Sequence, residues 1–426
     1  MHVPVVIVGA GPGGLAMSRH LVGAGVDHVV LERGEVGNSW RHERWDSLRL
    51  LTPNWMMALP GHRYDGPEPD GFMSAAQTVA FLDAYRRRFD PPVRAGVTVT
   101  SVRRAGDGFE VRADGGCWRC EVVVAATGAS SEPRVPPLAA EMPAGIEQLT
   151  ALEYRRPAQL GGDGAVLVVG ASASGVQIAD ELRRAGREVT ISAGEHVRLP
   201  RNYRGRDIYW WMDRIGQLDE RYDEVDDVER ARRHASVQLV GSDDHRDLDL
   251  NTLHAAGVQV VGRLMAVRGG TGLCSGALAN LAKNADLKQA RLLRRIDDYV
   301  RAHGGDGATG EQPDPSPTAL GDPPTELALC DYSTVVWATG YRPGYRWLTA
   351  DAKDGKARVV HDGGVARLPG LYLLGLPFLR RRRSNLVSGL GVDAAELFVH
   401  LRSHLDRRAR GRAGRRAPSP PAVTPV

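Results

Sequence analysis

Two glycine-rich turns are the parts of this 426-residue chain best suited to chemistry. Each follows a short apolar run and precedes apolar residues at helical spacing, with the sequences GAGPGG from Gly9 and GASASG from Gly170. In such a turn the first glycine allows a tight bend, a small third residue lets the backbone approach a pyrophosphate, and the last glycine lets the helix pack on the sheet. The helix N-terminus adds unpaired N–H groups that favour phosphate. We therefore predict two dinucleotide sites, with contacts from Gly9, Gly11, Pro12, Gly13, Gly14, Gly170, Ser172, Ala173, Ser174 and Gly175.

The residue that ends the next strand distinguishes the two predicted sites. The first strand ends at Glu32, followed by Arg33, and a carboxylate here accepts hydrogen bonds from an adenosine ribose. The second strand ends at Ser192, so the acid that would repel a 2′-phosphate is absent. Arg201 is the first candidate for a phosphate ligand and Arg198 the second, because guanidinium groups suit bidentate phosphate contact. The pattern favours NADPH over NADH, and the alternative is that these are ordinary surface arginines.

Composition excludes several other classes of function. The net charge is +4, but residues 402–426 alone hold seven Arg and one Asp. The rest of the chain is thus about −2, which is not the footprint of a nucleic-acid-binding protein. No apolar run approaches the roughly 20 residues of a membrane helix. The run from Val3 lacks the basic start of a signal peptide, so we expect a cytoplasmic protein, and no zinc-type spacing predicts a metal site.

Cys117 and Cys120 have the CxxC spacing of a redox disulfide. They lie among residues predicted to form a strand, where positions three apart point to opposite faces. Redox-active CxxC pairs usually open a helix, whose N-terminus lowers the thiol pKa. We therefore predict two unrelated thiols rather than the dithiol of a flavin disulfide reductase.

Short motifs in a fixed order carry a family resemblance. They are Gly9–Gly14, Gly37-Asn38-Ser39-Trp40, Trp45-Asp46-Ser47-Leu48, Ala126-Thr127-Gly128, Gly170–Gly175, Ala338-Thr339-Gly340-Tyr341 and Gly391-Val392-Asp393. With this set the chain resembles bacterial flavin-containing monooxygenases with two dinucleotide domains, which are akin to plant YUCCA-like enzymes. The resemblance implies FAD at the first turn and NADPH at the second. The further cofactor-binding residues that it implies are Ser39, Trp40, Leu48, Thr52, Val102, Thr127, Gly128, Thr339, Gly340 and Asp393.

The predicted fold class is α/β, with two Rossmann-like dinucleotide-binding domains and the NADPH domain inserted in the FAD domain. We expect the FAD domain over residues 1–158 and 331–401, and the NADPH domain over 159–330. Residues 402–426 are expected to form a basic, disordered tail. The Gly- and Pro-rich stretch from Gly304 to Pro324 is also expected to be poorly ordered. Ser74 and Gln77 predict a capping box at the start of a helix that runs to about Arg88.

The resemblance implies an NADPH- and O₂-dependent monooxygenase. NADPH would reduce FAD, and a C4a-(hydro)peroxyflavin would deliver one oxygen atom to an N, S or C centre of a small organic substrate. Thr52 and Asn54 are the candidate catalytic groups near the flavin edge. The alternatives are an NADPH-dependent reductase or dehydrogenase of the same architecture, or a non-enzymatic nucleotide-binding regulator. No feature of the sequence indicates an oligomeric state or names the substrate.

Two features stand apart from the motifs of the resembling family. Members of that family carry the segment F-x-G-x-x-x-H-x-x-x-Y. When its tyrosine is aligned with Tyr154, this chain has Ala144, Ile146 and Thr150 at the positions of Phe, Gly and His. The tyrosine alone is kept, which argues against a Baeyer–Villiger enzyme. Arg380–Arg383 precedes the segment that would close over FAD. We interpret this run as a solvated or phosphate-neutralising loop, and the alternative is recognition of an acidic substrate.

Overall fold

A computed structural model describes residues 1–304 and 314–416, with side chains up to residue 411. Its strands are Val5–Val8 (β1), His28–Leu31 (β2), Ala58–Leu59 (β3), His62–Arg63 (β4), Val93–Arg94 (β5), Val99–Ala105 (β6), Gly108–Ala113 (β7), Gly116–Cys120 (β8), Val122–Ala125 (β9), Glu132–Pro133 (β10), Glu147–Thr150 (β11), Ala165–Val169 (β12), Val189–Ala193 (β13), Val197–Arg198 (β14), Asn202–Tyr203 (β15), Arg206–Asp207 (β16), Val237–Gln238 (β17), Gln259–Gly262 (β18), Leu264–Arg268 (β19), Thr271–Cys274 (β20), Glu326–Ala328 (β21), Tyr332–Trp337 (β22), Tyr341–Arg342 (β23), His361–Asp362 (β24), Val365–Ala366 (β25) and Leu371–Leu373 (β26). Its α-helices are Pro12–Gly23 (α1), Asn38–His42 (α2), Ala75–Phe89 (α3), Ala173–Arg184 (α4), Ile208–Arg214 (α5), Val228–Arg232 (α6), Leu250–Ala255 (α7), Leu278–His303 (α8) and Val387–Arg416 (α9).

The first glycine turn belongs to a seven-stranded sheet. Its order is β24-β25-β26-β9-β1-β2-β5, and β1 lies between β2 and β9 with all three strands parallel. These three strands are fully buried runs of mostly β-branched residues, as expected where helices cover both faces of a parallel sheet. Helix α1 packs against α3 and α9. This sheet and its helices form the first unit of the molecule.

The second glycine turn belongs to a five-stranded parallel sheet, which forms the second unit. Its order is β11-β22-β12-β13-β18. Here β12 lies between β13 and β22, as β1 lies between β2 and β9 in the first unit. Each unit also has a three-stranded antiparallel sheet, β6-β7-β8 in the first and β19-β20-β21 in the second. The predicted α/β fold with two Rossmann-like units is confirmed.

The sheet pairings move the predicted domain boundaries. Strands β11 and β22 pair with each other and with β12, so both belong to the second sheet. The predicted boundaries at 158/159 and 330/331 gave both strands to the FAD domain, which is wrong. The chain instead crosses between the units through β10 and β23, which pair with each other antiparallel. A buried strand has the same composition in either sheet, so its sequence did not reveal which one it joins.

The predicted disordered tail is also wrong for the residues that the structure describes. Helix α9 runs without a break from Val387 to Arg416. In its later turns Arg408 donates to Glu121 of the first unit at 3.2 Å, which ties this part of the helix to the body. Of the stretch predicted to be poorly ordered near residue 304, residues 305–313 lie outside the described part, as do residues 417–426 of the tail.

Between β13 and α7 the second unit carries an insertion, residues 194–249, that packs on the first unit. Its apolar side chains form one buried cluster with α8 and with Met56 of the first unit; the members from the insertion are Leu199, Tyr203, Ile208, Tyr209, Trp211, Leu218 and Leu239. The helix predicted after Ser74 is α3, and its capping box is present in the structure. In residues 1–304 and 314–416 no helix combines the length and apolar composition needed to cross a bilayer.

Candidate functional site

The first glycine turn is closed by two tight backbone contacts. Gly9 has a positive φ of 106°, and a Cβ there would lie 2.6 Å from the carbonyl oxygen of Ala126. A Cβ on Gly14 would overlap the carbonyl oxygen of Gly9. At Gly11, by contrast, a Cβ would have no neighbour within 4 Å. The outer glycines are thus required by packing, whereas the middle one leaves open backbone at the N-terminus of α1, as a pyrophosphate site requires.

The second glycine turn repeats this construction. Gly170 has a φ of 112°, and its Cβ would overlap the carbonyl oxygen of Ala338, which corresponds to Ala126 of the first unit. A Cβ on Gly175 would likewise overlap the carbonyl oxygen of Gly170. Ser172 is the N-cap of α4, but its hydroxyl makes no capping hydrogen bond. The hydroxyl therefore remains able to donate to a phosphate at this turn.

The strand ends differ between the two units as the sequence indicates. Glu32 is 8% exposed, and its carboxylate accepts from the backbone N–H of Ala10 at 2.7 Å and of Gly34 at 3.2 Å. Each carboxylate oxygen can accept a further hydrogen bond, so ribose recognition stays compatible with this geometry. Ser192 is buried, donates to Gly262 and accepts from the N–H of Leu264. No carboxylate occupies the Ser192 position, and a 2′-phosphate would meet no repulsion from that residue.

The structure contradicts Arg201 as a phosphate ligand. Its side chain has no exposed surface, and its guanidinium donates to Asp207 at 2.7 Å and to the carbonyl of Leu51 at 2.9 Å. It also lies 4.9 Å from the ring centre of Phe72. Arg201 therefore joins the insertion to the segment that carries Thr52 and Asn54, and it is a structural residue.

The prediction that Arg198 binds phosphate is wrong for the same reason. It is buried, and its guanidinium donates to Asp249 and to Asp286, both at 2.7 Å. Two carboxylates already neutralise this cation. Arg33, which follows Glu32, has a half-exposed side chain that forms an ion pair with Glu43. Arg201 and Arg198 were wrongly interpreted because sequence spacing does not show which arginines have carboxylate partners.

Trp40 and Asn54 lie where the two units and the insertion meet. Trp40 is on α2 with Ser39, and it packs against the core clusters of both units. Thr52 and Asn54 are buried. Asn54 donates to the carbonyl of Glu68 at 2.9 Å, and its side-chain oxygen is buried without a hydrogen-bond partner among the described residues. An unpaired buried acceptor is costly, so a donor from a bound molecule would stabilise it.

Two other residues implied by the resemblance make contacts within the protein. Val102 has no exposed surface, its N–H donates to the carbonyl of Trp347, and its carbonyl accepts from Thr349. Asp393 is fully buried and forms an ion pair with Arg381, and burial raises the pKa of its carboxyl. Oδ2 of Asp393 is buried without a hydrogen-bond partner among the described residues, so its contact with FAD stays a prediction. Leu48 packs with Trp45 in the core of the second unit, so its place along FAD stays a prediction.

The paired crossings place two Thr-Gly dipeptides beside the glycine turns. Gly128 and Gly340 both have positive φ angles, 77° and 92°. Thr339 donates to the carbonyl of Arg134 across the crossing, and the hydroxyl of Thr127 is buried without a partner among the described residues. Ala126 and Ala338, just before them, close the two turns. The repeated Ala-Thr-Gly motif therefore has the same structural position in both units.

Sequence reasoning missed two polar residues near the second turn. Gln238 is fully buried and donates to the carbonyl of Ala171, inside the turn, at 2.7 Å. Its side-chain oxygen is buried without a partner in residues 1–304 and 314–411. Tyr341 is hydrogen bonded to Ser174 at 3.2 Å. The position of Tyr341 next to Gly340 could have indicated its role, whereas Gln238 lies in a two-residue strand without any motif.

The cysteines occupy opposite faces of one strand, as predicted. Both lie on β8, where Cys117 is exposed and Cys120 is buried. Burial raises the pKa of the Cys120 thiol to about 12, so it stays protonated near neutral pH. A protonated, buried thiol is a poor nucleophile. Within the described residues, no three His, Cys, Asp or Glu side chains converge as a metal site would require.

Comparison with known proteins identifies the family. Residues 6–245 match the family described as pyridine nucleotide-disulphide oxidoreductase. The chain belongs to this family. The matched range includes both glycine turns, the first crossing and most of the insertion.

Individual relatives agree with the motif-based resemblance. A CzcO-like uncharacterized oxidoreductase of Geobacillus kaustophilus is 29% identical over 94% of this chain and 99% of its own. Indole-3-pyruvate monooxygenase YUCCA1 of Oryza sativa subsp. japonica is 36% identical over 47% of this chain and 50% of its own. A flavin-containing monooxygenase from Stenotrophomonas maltophilia has the same fold, with a TM-score of 0.67, 22% identity, and coverage of 95% of this chain and 99% of that one. The predicted resemblance to flavin-containing monooxygenases is confirmed.

Proposed function

We propose that this protein is an NADPH- and O₂-dependent flavin monooxygenase that inserts one oxygen atom into an N, S or C centre of a small organic molecule. FAD binds at the first glycine turn and NADPH at the second. We further propose that the enzyme works in the cytoplasm. Both the YUCCA1 relative and the Stenotrophomonas maltophilia neighbour are named as monooxygenases, which supports this activity.

The observation that carries the proposal is the pair of matching glycine turns with different strand ends. Both turns expose backbone at a helix N-terminus, through Gly11 in one unit and Ser172 in the other. One strand ends in a carboxylate suited to a ribose, and the other in a buried serine. A chain with two dinucleotide sites of different ribose chemistry can bring a flavin and a phosphorylated nicotinamide cofactor together.

Each part of the site has a separate task in this mechanism. When bound, FAD supplies the hydride-accepting and oxygen-activating chemistry. The backbone at Gly11 and the carboxylate of Glu32 would hold its pyrophosphate and ribose. The unpaired oxygen of Asn54 would accept a hydrogen bond from the cofactor or substrate. Packing of the insertion against Met56 keeps water from this side of the Thr52–Asn54 segment, and water exclusion protects a reactive oxygenating centre.

Oxygen balance tests this proposal directly. The purified holoenzyme is supplied with NADPH and with amines, thioethers or indolic acids, while NADPH oxidation, O₂ uptake and H₂O₂ release are followed. We expect a substrate for which O₂ uptake matches NADPH oxidation, H₂O₂ release falls, and the product gains one oxygen from isotopically labelled O₂. NADPH-dependent turnover without O₂ uptake would identify a reductase instead, and absence of NADPH-dependent flavin reduction would identify a binding protein.

A further inference from the structure

The end of β13 lies beside an arginine from the neighbouring strand. Strands β13 and β18 are parallel, with Ala193 opposite Gly262. The next residues are Gly194 and Arg263, and a Cβ on Gly194 would lie 2.9 Å from Nε of Arg263 and 3.0 Å from its Nη2. The absence of a side chain at Gly194 therefore allows the guanidinium of Arg263 to lie directly against the backbone that follows β13.

This position is where an adenosine ribose belongs in a Rossmann-like unit. Ligands of open parallel sheets bind beyond the carboxyl ends of the strands, and the end of the second strand faces the ribose. In the second unit β13 is that strand, and Gly194 comes two residues after Ser192. Arg263 reaches the same edge from β18, although it lies far from the second glycine turn in sequence.

Arg263 differs from Arg198, Arg201 and Arg204 in having no carboxylate partner among the described residues. Arg198, Arg201 and Arg204 are held by carboxylates, the last by Asp297 at 2.6 Å. The side chain of Arg263 is exposed, and in residues 1–304 and 314–411 it has no salt bridge or side-chain hydrogen bond. An exposed guanidinium with free donors suits bidentate binding of a phosphate.

The charges around Arg263 also favour an anion. Glu195, which follows Gly194, forms an ion pair with Lys288 of α8 at 3.0 Å. The hydrogen bond and the positive charge of Lys288 lower the pKa of this carboxyl, and the positive charge of Arg263 lowers it further. Glu195 thus lies among cationic groups, and its own charge is already paired. A phosphate at this edge would meet the cation of Arg263 beside a Glu195 whose charge is paired with Lys288.

We propose that Arg263 binds the 2′-phosphate of NADPH and is the residue by which the enzyme distinguishes NADPH from NADH. The inference rests on the proposed function, because it assumes that the second unit binds a nicotinamide dinucleotide. Gly194 has a supporting role, since its lack of a side chain leaves room for the guanidinium. The pairing of Gly194 with Arg263 could not be predicted from sequence, because the two residues follow strands that become neighbours only in the folded sheet.

Equilibrium binding tests the assignment without relying on turnover. Affinities of the holoenzyme for NADP⁺, NAD⁺, 2′,5′-ADP and 5′-AMP are measured by calorimetry for the parent, Arg263→Ala and Arg263→Lys. A charge-assisted hydrogen-bonded contact is lost in the alanine variant, so NADP⁺ and 2′,5′-ADP should bind about ten- to a hundredfold more weakly. NAD⁺ and 5′-AMP should change less than about twofold, and the lysine variant should retain part of the preference.

Two further variants make the result decisive. Arg268→Ala removes an exposed arginine from the far end of β19 and should leave all four affinities unchanged. Gly194→Ala needs no unusual backbone conformation and places a methyl group against the Arg263 guanidinium, so it should weaken NADP⁺ binding selectively. Equal losses for NADP⁺ and NAD⁺ in Arg263→Ala, or a parent without preference for 2′,5′-ADP over 5′-AMP, would overturn the assignment. Flavin reduction by NADPH in the parent is measured separately, so failure of the proposed function is recognised independently.

Discussion

Arg201 shows how burial decides the role of a charged residue. Taking a guanidinium out of water is costly unless its charge and donors are satisfied. Asp207, the carbonyl of Leu51 and the ring of Phe72 do this here. Burial still raises the pKa of Asp207, although Arg201 favours its charged form. The pair is therefore a junction between the insertion and the Thr52–Asn54 segment, and both partners are needed together.

Replacing Arg201 with alanine should destabilise the protein without changing cofactor preference. The substitution leaves Asp207 buried and unpaired, and breaking a buried pair in this way costs about 3–5 kcal/mol. Chemical denaturation should show this loss of unfolding free energy, while the affinities for NADP⁺ and NAD⁺ shift in parallel. Arg206→Ala is the matched control, because Arg206 is an exposed residue of the same hairpin stacked on Trp210. A selective loss of NADP⁺ affinity in the Arg201 variant would restore the interpretation made from sequence.

Single residues were predicted well where backbone geometry decides their role. The turn glycines and the contrast between Glu32 and Ser192 follow from a local strand-turn-helix pattern, which the sequence displays directly. Arg201 and Arg198 were assigned wrongly because their partners, Asp207 and Asp249, are identified by tertiary packing. Nothing in the sequence distinguishes an arginine that meets a carboxylate inside the fold from one that meets a phosphate at its surface.

At the scale of one element, the first glycine turn contains one glycine that folding requires and another that binding requires. In Gly14→Ala the new Cβ overlaps backbone at Gly9, and overpacking of this kind costs about 1–3 kcal/mol or more. In Gly11→Ala the methyl group enters open space, so stability should change by no more than about 1 kcal/mol. That methyl group nevertheless occupies the approach to the backbone that a pyrophosphate would use.

We therefore expect Gly11→Ala to unfold like the parent but to retain far less flavin. Urea denaturation of the apoproteins and the flavin absorbance per chain after purification measure the two effects. The Gly14→Ala apoprotein should instead have a lower unfolding free energy than the parent. Full flavin content in a stable Gly11→Ala protein would mean that the pyrophosphate does not approach this position.

Strand β8 gives a second prediction at this scale. Cys117 and Cys120 lie on its opposite faces and cannot act as a redox pair without remodelling the strand. The double variant Cys117→Ala/Cys120→Ala should therefore reduce its flavin with NADPH at the parental rate. Stopped-flow absorbance measures this rate, and circular dichroism verifies that the variant is folded. Loss of flavin reduction in a folded variant would revive the disulfide-reductase alternative.

At the scale of the whole molecule, two contacts join the units in addition to those of Trp40, Arg201 and Met56. The first is the pair of crossings β10 and β23, each of which comes after an Ala-Thr-Gly motif in the chain. The second connection is the run Arg380–Arg383, which was interpreted as a solvated or phosphate-neutralising loop. Its backbone pairs with the insertion, through Tyr222 N–H to Arg380 and Arg382 N–H to Glu220. Arginine runs look alike in sequence whether they are solvated or paired, so the carboxylates that hold this one could not be predicted.

The side chains of the run strengthen this second connection. Arg382 forms an ion pair with Glu220, and Arg383 with Asp213 and Asp219. All three carboxylates belong to the insertion. The contact therefore fixes the second unit to the first at a place well separated in sequence from the crossings.

The double variant Arg382→Gln/Arg383→Gln should loosen the insertion while leaving both units folded. Partly exposed ion pairs contribute about 0.2–1 kcal/mol each, so loss of all three should make amide hydrogen exchange in residues 213–222 roughly three- to a hundredfold faster. Salt screens such pairs, so added salt should speed this exchange in the parent and have little effect in the variant. Arg301→Gln, which breaks the exposed pair with Asp298 on α8, is the control and should not alter exchange there. If exchange in residues 213–222 is the same in parent and variant at low salt, the backbone pairing alone holds the insertion, and the arginines contribute only solubility.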